Sequence, residues 1–255
     1  MSLLSQCKIV QSLPRYMVIE ELSKSFGIRE FYLLIDDLCE MRDKQNIAAV
    51  SIELDDKWAN EKAAVVRLEE AGLTVQSVRK SFERGLKAWK GASEQAKKLG
   101  LKSLNNLSEH TFCSAWQKTM EGSLNAPGSF SVKDGLFEGL KEELGESYKD
   151  SCLTAFLGDD CIGVAVPHIE PGTRDEGRLF YFGILPEFRS EGLGNLLHER
   201  SLDTLKALGA ATYIGTTDAA NEPMQRIFEK NGCRYTYEKT TYKWQRRDNN
   251  GSKII

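Results

Sequence analysis

At 255 residues, with 41% apolar and 28% charged residues, the chain has the make-up of a globular protein long enough for one large domain or two small ones. Its formal net charge of -3 and sequence pI near 5.8 argue against general nucleic-acid binding, which needs a strong basic excess. No apolar run approaches the roughly 20 residues that cross a bilayer. The opening MSLLSQCKIVQSLPRYMVIEE has no charged segment ahead of an apolar stretch, so it does not read as a secretory signal.

Taken in order, residues 29–45 read as a helix, 47–54 (IAAVSIEL) as a strand, 60–71 as a helix and 73–82 as a strand. The polar stretch 87–98 (KAWKGASEQAKK) reads as a linker. A strand near Leu101 follows, then helical patterns over 108–121 and 131–144 joined by the loop Asn125-Ala126-Pro127-Gly128. The apolar runs 152–157 (CLTAFL) and 161–167 (CIGVAVP), separated by Gly158-Asp159-Asp160, predict a hairpin. Past the turn-rich Glu170-Pro171-Gly172-Thr173, residues 177–185 (GRLFYFGIL) make a third strand ended by Pro186. Residues 195–208 carry Leu197, Leu202, Leu205 and Leu208 at a helical period, with Gly209 where a helix-ending glycine belongs. A strand at 211–215, a helix at 222–231 stopped by Gly232, and a strand at 235–244 complete the pattern, and the tail is expected to fray. This is an α/β layout, one mixed sheet flanked by helices.

Two halves echo one another. Asn60-Glu61 followed by Ala71-Gly72 parallels Asn221-Glu222 followed by Asn231-Gly232, and the Asn-to-Gly spacings are twelve and eleven residues. A duplicated unit accounts for this. The six cysteines (Cys7, Cys39, Cys113, Cys152, Cys161, Cys233) contain no C-x-x-C, and His110, His168 and His198 are equally scattered. Reduced thiols in a cytoplasmic protein are expected, with most of these cysteines in the core and no metal site.

One segment carries chemistry. The strand ending at Leu185 is followed by Pro186-Glu187-Phe188, then Arg189-Ser190-Glu191-Gly192-Leu193-Gly194, then a helix. Two glycines spaced by one residue at a helix mouth expose backbone N–H groups in a concave loop, backed by the helix's own free donors. Such a loop suits an anion, most naturally a pyrophosphate. It is not the dinucleotide-binding string G-x-G-x-x-G, and no phosphate-loop Lys-Ser/Thr follows it.

This run resembles motif A (Q/R-x-x-G-x-G/A after a strand) of the GNAT superfamily, the Gcn5-related N-acetyltransferases. Asn221, the helix after it and Gly232-Cys233 resemble the family's N-x-x-x-x-x-x-Y-x-x-x-G-F segment. The resemblance spans about 101–244 and implies a GNAT-like, acyl-CoA N-acyltransferase fold, with a degenerate partial second unit at the N-terminus. It divides the chain into a partial repeat at 1–95, an acetyltransferase domain at 96–247 and a tail at 248–255.

The resemblance further implies an acetyl-CoA co-substrate whose pantetheine arm pairs with the strand at Phe182, Gly183 and Ile184. Its diphosphate would meet backbone N–H groups across Arg189, Ser190, Glu191, Gly192, Leu193, Gly194 and Asn195. Asn221 would touch the arm, and a strand N–H near Ile184 would face the oxyanion. Phe228 stands where many members carry a proton-donating Tyr, so the acid is open between another group (Tyr213, Tyr235 and Tyr237 lie nearby in sequence), water and unassisted departure. His168, Glu170 and Glu176 fall where they would line the acceptor side, although solvated loop positions fit them better, and His198 is expected at the surface. Direct transfer to an amine of a small molecule or peptide is the implied activity. A non-catalytic acyl-CoA sensor or interaction module is the alternative that Phe228 keeps open. A homodimer is left open; nucleic acid and membranes are not expected partners.

Overall fold

The computed structural model describes residues 2–124 and 135–246. Its first elements are an antiparallel pair, β1 (Lys8–Ser12) and β2 (Tyr16–Glu21), for which the sequence offers little signal: only Met17 and Ile19 are fully buried. Helix α1 (Ile28–Lys44) buries Phe31, Leu34, Ile35 and Leu38, the i, i+3, i+4, i+7 stripe of an amphipathic helix. That stripe packs in one core with Val50, Ile52 and Leu54, the alternate residues of β3 (Ala49–Asp55). The short α2 (Asp56–Ala59), capped by the Asp55 side chain, stacks Trp58 on Phe31 with ring centroids 4.7 Å apart. Helix α3 (Lys62–Glu70) adds Ala64 and Leu68 to the same core, and β4 (Thr74–Gly85) follows.

After β4 come α4 (Glu94–Lys97), β5 (Gly100–Lys102), α5 (Glu109–Met120), α6 (Leu136–Leu144), α7 (Tyr148–Ser151), and the meander β6 (Leu153–Leu157), β7 (Asp160–Ile169), β8 (Glu176–Ile184). Then α8 (Leu193–Ala207), β9 (Thr212–Asp218), α9 (Glu222–Lys230) and β10 (Arg234–Gln245) close the chain. The helix expected over 131–144 is described from Leu136 onward. Residues 131–134, the loop at 125–128 and the tail beyond 246 lie outside the described residues.

The chain resolves into two compact units that interleave in sequence, Met1–Lys80 with Tyr237–Ile255 and, separately, Ser81–Thr236. In the first, β2 and β3 run parallel through the α1 crossover, and Lys239–Gln245 of β10 pairs antiparallel with β3. In the second, the strand order is β4-β9-β8-β7-β6-β5, antiparallel from β8 to β5 and parallel between β8 and β9. Within each unit the strands are mixed in direction and flanked by helices. In the second unit one face of the strands packs Val164 and Val166 against Phe112 and Trp116 of α5. The other packs Ala165 and Ile184 against Leu193 and Leu197 of α8.

Residues 87–98 are not a linker. Trp89 Nε1 donates to Asp203 Oδ1 (2.7 Å), the Ala92 N–H to the same carboxylate (3.0 Å) and the Ser93 N–H to Glu199 Oε2 (2.8 Å), so the stretch is tied to α8. Its polar residues face water while Ala92 and Ala96 are buried, which is why its composition misled.

Candidate functional site

The site begins where two strands part. β8 pairs with β7 from Gly177 to Ile184, but with β9 only at Glu176–Thr212 and Gly177–Tyr213. Beyond Gly177 the two parallel strands diverge, and a cleft of about 500 Å³ is lined by Phe182, Gly183 and Ile184 on one side and by α9 on another. Two further contacts hold β8 in place. A Cβ on Gly163 of β7 would collide with the Gly183 carbonyl oxygen, and one on Gly183 would lie 2.8 Å from Thr119 Cβ of α5. Neither position admits a side chain without moving the strand.

The predicted loop forms the floor. Ser190 has φ +66° and Gly192 φ +80°, left-handed conformations that turn successive N–H groups inward ahead of α8. Among the described residues no side chain caps α8. The Gly192 carbonyl accepts from Asn195 N (3.0 Å) and Leu196 N (3.5 Å), so among the described residues the N–H groups from Ser190 to Gly194 have no acceptor. A Cβ on Gly192 would meet nothing within 4 Å, whereas one on Gly194 would lie 2.9 Å from Ile227 Cδ1. Gly192 is thus required by its backbone angle, whereas at Gly194 a Cβ would press only on the flexible end of one α9 side chain. Arg189 braces the loop: its Nε donates to the Ile184 carbonyl (3.1 Å) and its Nη2 to the Thr119 carbonyl (3.0 Å).

The electrostatics of the wall are one-sided. Among the described residues Arg189, Arg226 and Lys230 line the cleft and no Asp or Glu does, in a chain with 37 acids against 34 bases. Asn221 caps α9, its Oδ1 accepting from Met224 N (3.2 Å), and also lines the cleft. The predicted residues Phe182, Gly183, Ile184, Arg189, Ser190, Gly192, Gly194, Asn195 and Asn221 therefore meet at one cleft. Glu191 is exposed and does not line the cleft, the Leu193 side chain is in the core, and Phe228 is 1% exposed against Phe82, Tyr213 and His198. Phe188 joins the lining from the turn ahead of the loop, and Thr119, Met224, Ile227, Arg226 and Lys230 join it without a sequence signal that singles them out, because helix facing decides their place.

His198 is buried rather than at the surface, since it falls within the buried stripe Leu193, Leu197, Ser201, Leu205 of α8. Asn231 Nδ2 donates to its Nδ1 (2.8 Å) and also approaches the Asn195 carbonyl (3.3 Å). The ring proton is then on Nε2, 3.2 Å from the Tyr213 hydroxyl. Burial, with a smaller contribution from Arg84, lowers the imidazole pKa to about 3, so the ring is neutral. Burial likewise pushes the Tyr213 hydroxyl up, keeping it protonated. β7 extends to Ile169, which makes His168 a strand residue only 4% exposed rather than a solvated one. Its Nε2 lies 3.4 Å from Glu170 Oε2, and Arg178 Nε bonds Glu176 (2.6 Å) and Glu170 (3.3 Å). None of these four lines the cleft, and Tyr235 and Tyr237 are exposed. The six cysteines are unpaired, and burial pushes the Cys152 and Cys233 thiols up to about 12.

Residues 118–233 match the profile of the acetyltransferase (GNAT) family. This segment is a GNAT domain. It contains the whole loop, both diverging strands and α9, and lies within the second unit. N-alpha-acetyltransferase 30 of Schizosaccharomyces pombe is 30% identical over 86 residues, 32% of this chain and 57% of that protein, so the chain spans just over half of that relative. Among solved structures, a GCN5-related N-acetyltransferase from Sphaerobacter thermophilus aligns with TM-score 0.66 at 12% identity, over 94% of this chain and 76% of that one. A functionally unknown conserved protein from Staphylococcus epidermidis aligns with TM-score 0.64 at 13% identity over 94% of both chains. A tandem GNAT protein from the clavulanic acid biosynthesis pathway aligns with TM-score 0.59 at 11% identity, over 92% and 77%. At these identities the likeness is one of fold. Among the described residues there is no group of three or more His, Cys, Asp or Glu that would hold a metal, and no helix long and apolar enough to cross a membrane.

Proposed function

We propose that this GNAT protein transfers an acetyl group from acetyl-CoA directly to an amine of a small molecule or peptide, both held at once. The observation that carries the reading is the continuity of two open donor sets. The β8 edge freed beyond Gly177 runs into the acceptor-less N–H groups of Ser190 to Gly194. An extended arm bearing two amides and ending in a diphosphate uses both, the first as an added strand and the second as an anion at a helix mouth. The three cations of the wall favour the same charge. When bound, the thioester supplies an activated acyl group. The chain's part is to orient it, with an N–H on the free edge near Ile184 polarising the carbonyl and Asn221 offering its amide to the arm.

Phe228 removes the hydroxyl that would protonate the departing sulfur, and it lies in the core rather than at the cleft. A thiol of pKa about 8.5 is a fair leaving group without an acid. The same residue supports a second reading, an acyl-CoA sensor without turnover. Calorimetry with acetyl-CoA, then thiol release across a panel of amines, separates the two. Binding with release supports transfer, binding without release selects the sensor, and no binding sinks both.

The first unit supports a duplicated origin. Its order β2-α1-β3-α3-β4 repeats β8-α8-β9-α9-β10, each with a parallel first pair, and β4 and β10 are both 12 residues long. There the helix mouth is closed: Glu30 Oε2 accepts from the Gly27 N–H at 3.0 Å, placing a carboxylate where α8 is bare. We read it as a degenerate half without co-substrate. Six unpaired thiols suit a reducing compartment such as the cytoplasm.

A further inference from the structure

We propose that Arg226 and Lys230 of α9 form a subsite for a second phosphate, the ribose 3′-phosphomonoester that distinguishes coenzyme A from its dephospho form. The inference rests on the acetyl-CoA reading and specifies the head group it takes.

α9 presents one face to the cleft, at Pro223, Arg226, Ile227 and Lys230, the i, i+3, i+4, i+7 spacing of a single helical stripe. The centre of that face is fixed beside the phosphate loop, since a Cβ on Gly194 would lie 2.9 Å from Ile227 Cδ1. Arg226 and Lys230 therefore flank Ile227, the α9 residue that reaches Gly194 in the first turn of α8. The other wall has already supplied what a diphosphate needs, the free N–H groups from Ser190 to Gly194. Arg189 cannot supply further charge contacts readily, because its guanidinium is engaged with the Ile184 and Thr119 carbonyls.

The two α9 cations are not so engaged. Lys230 has no acidic partner among the described residues, and Arg226 has only an i,i+4 pair with Glu222 at 3.2 Å, with the two side chains 61% and 72% exposed. An exposed pair of that kind holds its arginine weakly. Among the described residues no carboxylate on the wall opposes either cation. A phosphomonoester near neutral pH carries close to two charges and accepts several hydrogen bonds, the chemistry that an exposed Arg and Lys one turn apart recognise. Charge complementing the end of α9 would explain Lys230 in its last turn, but not Arg226 in mid-helix on the cleft face.

The test compares coenzyme A with 3′-dephospho-coenzyme A by calorimetry on the full chain, wild type and Arg226→Gln/Lys230→Gln. Gln keeps the helix propensity of α9, and both positions are exposed, so the fold is expected to persist; the unliganded melting temperature verifies this. Wild type should prefer coenzyme A by about tenfold or more, the worth of one charge-assisted contact, and the double variant should bring the two affinities to within about twofold. The wild-type preference should also shrink as salt is raised. Equal binding of both ligands by wild type would overturn the subsite while leaving the acetyl-CoA reading intact. So would a double variant that still discriminates as wild type does, and the two residues would then be helix-surface charges only. Binding of neither ligand would overturn the acetyl-CoA reading, and the subsite with it.

Discussion

Three glycines separate backbone need from packing need, and the difference is measurable. Gly192 has φ +80° with open space around its Cβ direction. Gly192→Ala should therefore cost about 1–2 kcal/mol of stability from the left-handed angle alone, and should also weaken acetyl-CoA binding by setting a methyl in the loop. A Cβ at Gly194 meets only Ile227 Cδ1, the far end of a flexible side chain, and Ala gains about 1 kcal/mol of helix propensity over Gly, so Gly194→Ala should stay within about 1 kcal/mol of wild type. At Gly215 the Cβ would lie 2.5 Å from the Tyr213 hydroxyl and 2.6 Å from Phe228 Cε1, both rings buried with no room to retreat. Gly215→Ala should cost at least about 3 kcal/mol, and urea denaturation of the three variants would reveal the order 215, 192, 194. His198 gives a pH signature. Its folded pKa of about 3 lies below the ordinary 6.5, so between those values the unfolded chain binds the extra proton. Its contribution is constant above pH 6.5, and stability falls by about 1.4 kcal/mol per unit as the pH drops toward 3. Urea midpoints from pH 7 to 4.5 should show a slope in wild type that is shallower by that amount in His198→Gln. Parallel slopes would mean that the ring is not held neutral.

At the scale of elements, the second half was the readable half, because its strands 152–157, 161–167 and 177–185 are unbroken apolar runs with turn residues between them. The loop before α8 was readable too, since two glycines at a strand–helix junction have few structural uses besides an anion cup. What the sequence hid was whatever depends on facing. Thr119 reaches Gly183 from α5, and Arg226 and Lys230 reach the cleft from α9, across separations that local periodicity does not span. His198 and Ser201 lie in the buried stripe of α8, but polarity argues for the surface, and only Asn231 and Tyr213 across the fold make burial tolerable. β1 and β2 were missed because they are short and mostly unburied. The 87–98 stretch shows the same limit, since its order comes from α8. Asp203 accepts from both the Trp89 indole and the Ala92 N–H, and Lys206 Nζ donates to the Trp89 carbonyl (2.7 Å). Asp203→Ala strands those donors and should cost about 2 kcal/mol, with proteolytic nicking appearing between 87 and 93; Asp203→Asn, which retains an acceptor oxygen, should recover much of both. Unchanged protease resistance in Asp203→Ala would show that the carboxylate is not the tether.

At the scale of the molecule, the consequence of two interleaved units is that the chain has no clean cut in its first third. A boundary at 95/96 leaves β4 with the N-terminal fragment, yet Phe82 and Leu86, 2% and 0% exposed, belong to the core of the second unit with Tyr213 and Phe228. Removing large buried side chains costs about 3–5 kcal/mol each for the aromatic and 2–5 for the leucine, comparable with the whole stability of an ordinary domain. The same cut strips β3 from Lys239–Gln245, exposing a strand edge that carries Tyr242 and Trp244. A fragment 96–255 should therefore be insoluble. A fragment 74–236 keeps all of β4 and discards the orphaned end of β10, so the second unit retains its own cores and the entire cleft. It should be the more soluble of the two and should bind acetyl-CoA. Soluble yield, circular dichroism and calorimetry on both fragments decide the matter: a soluble 96–255 with full affinity would mean that the β4 strand is dispensable to the GNAT domain.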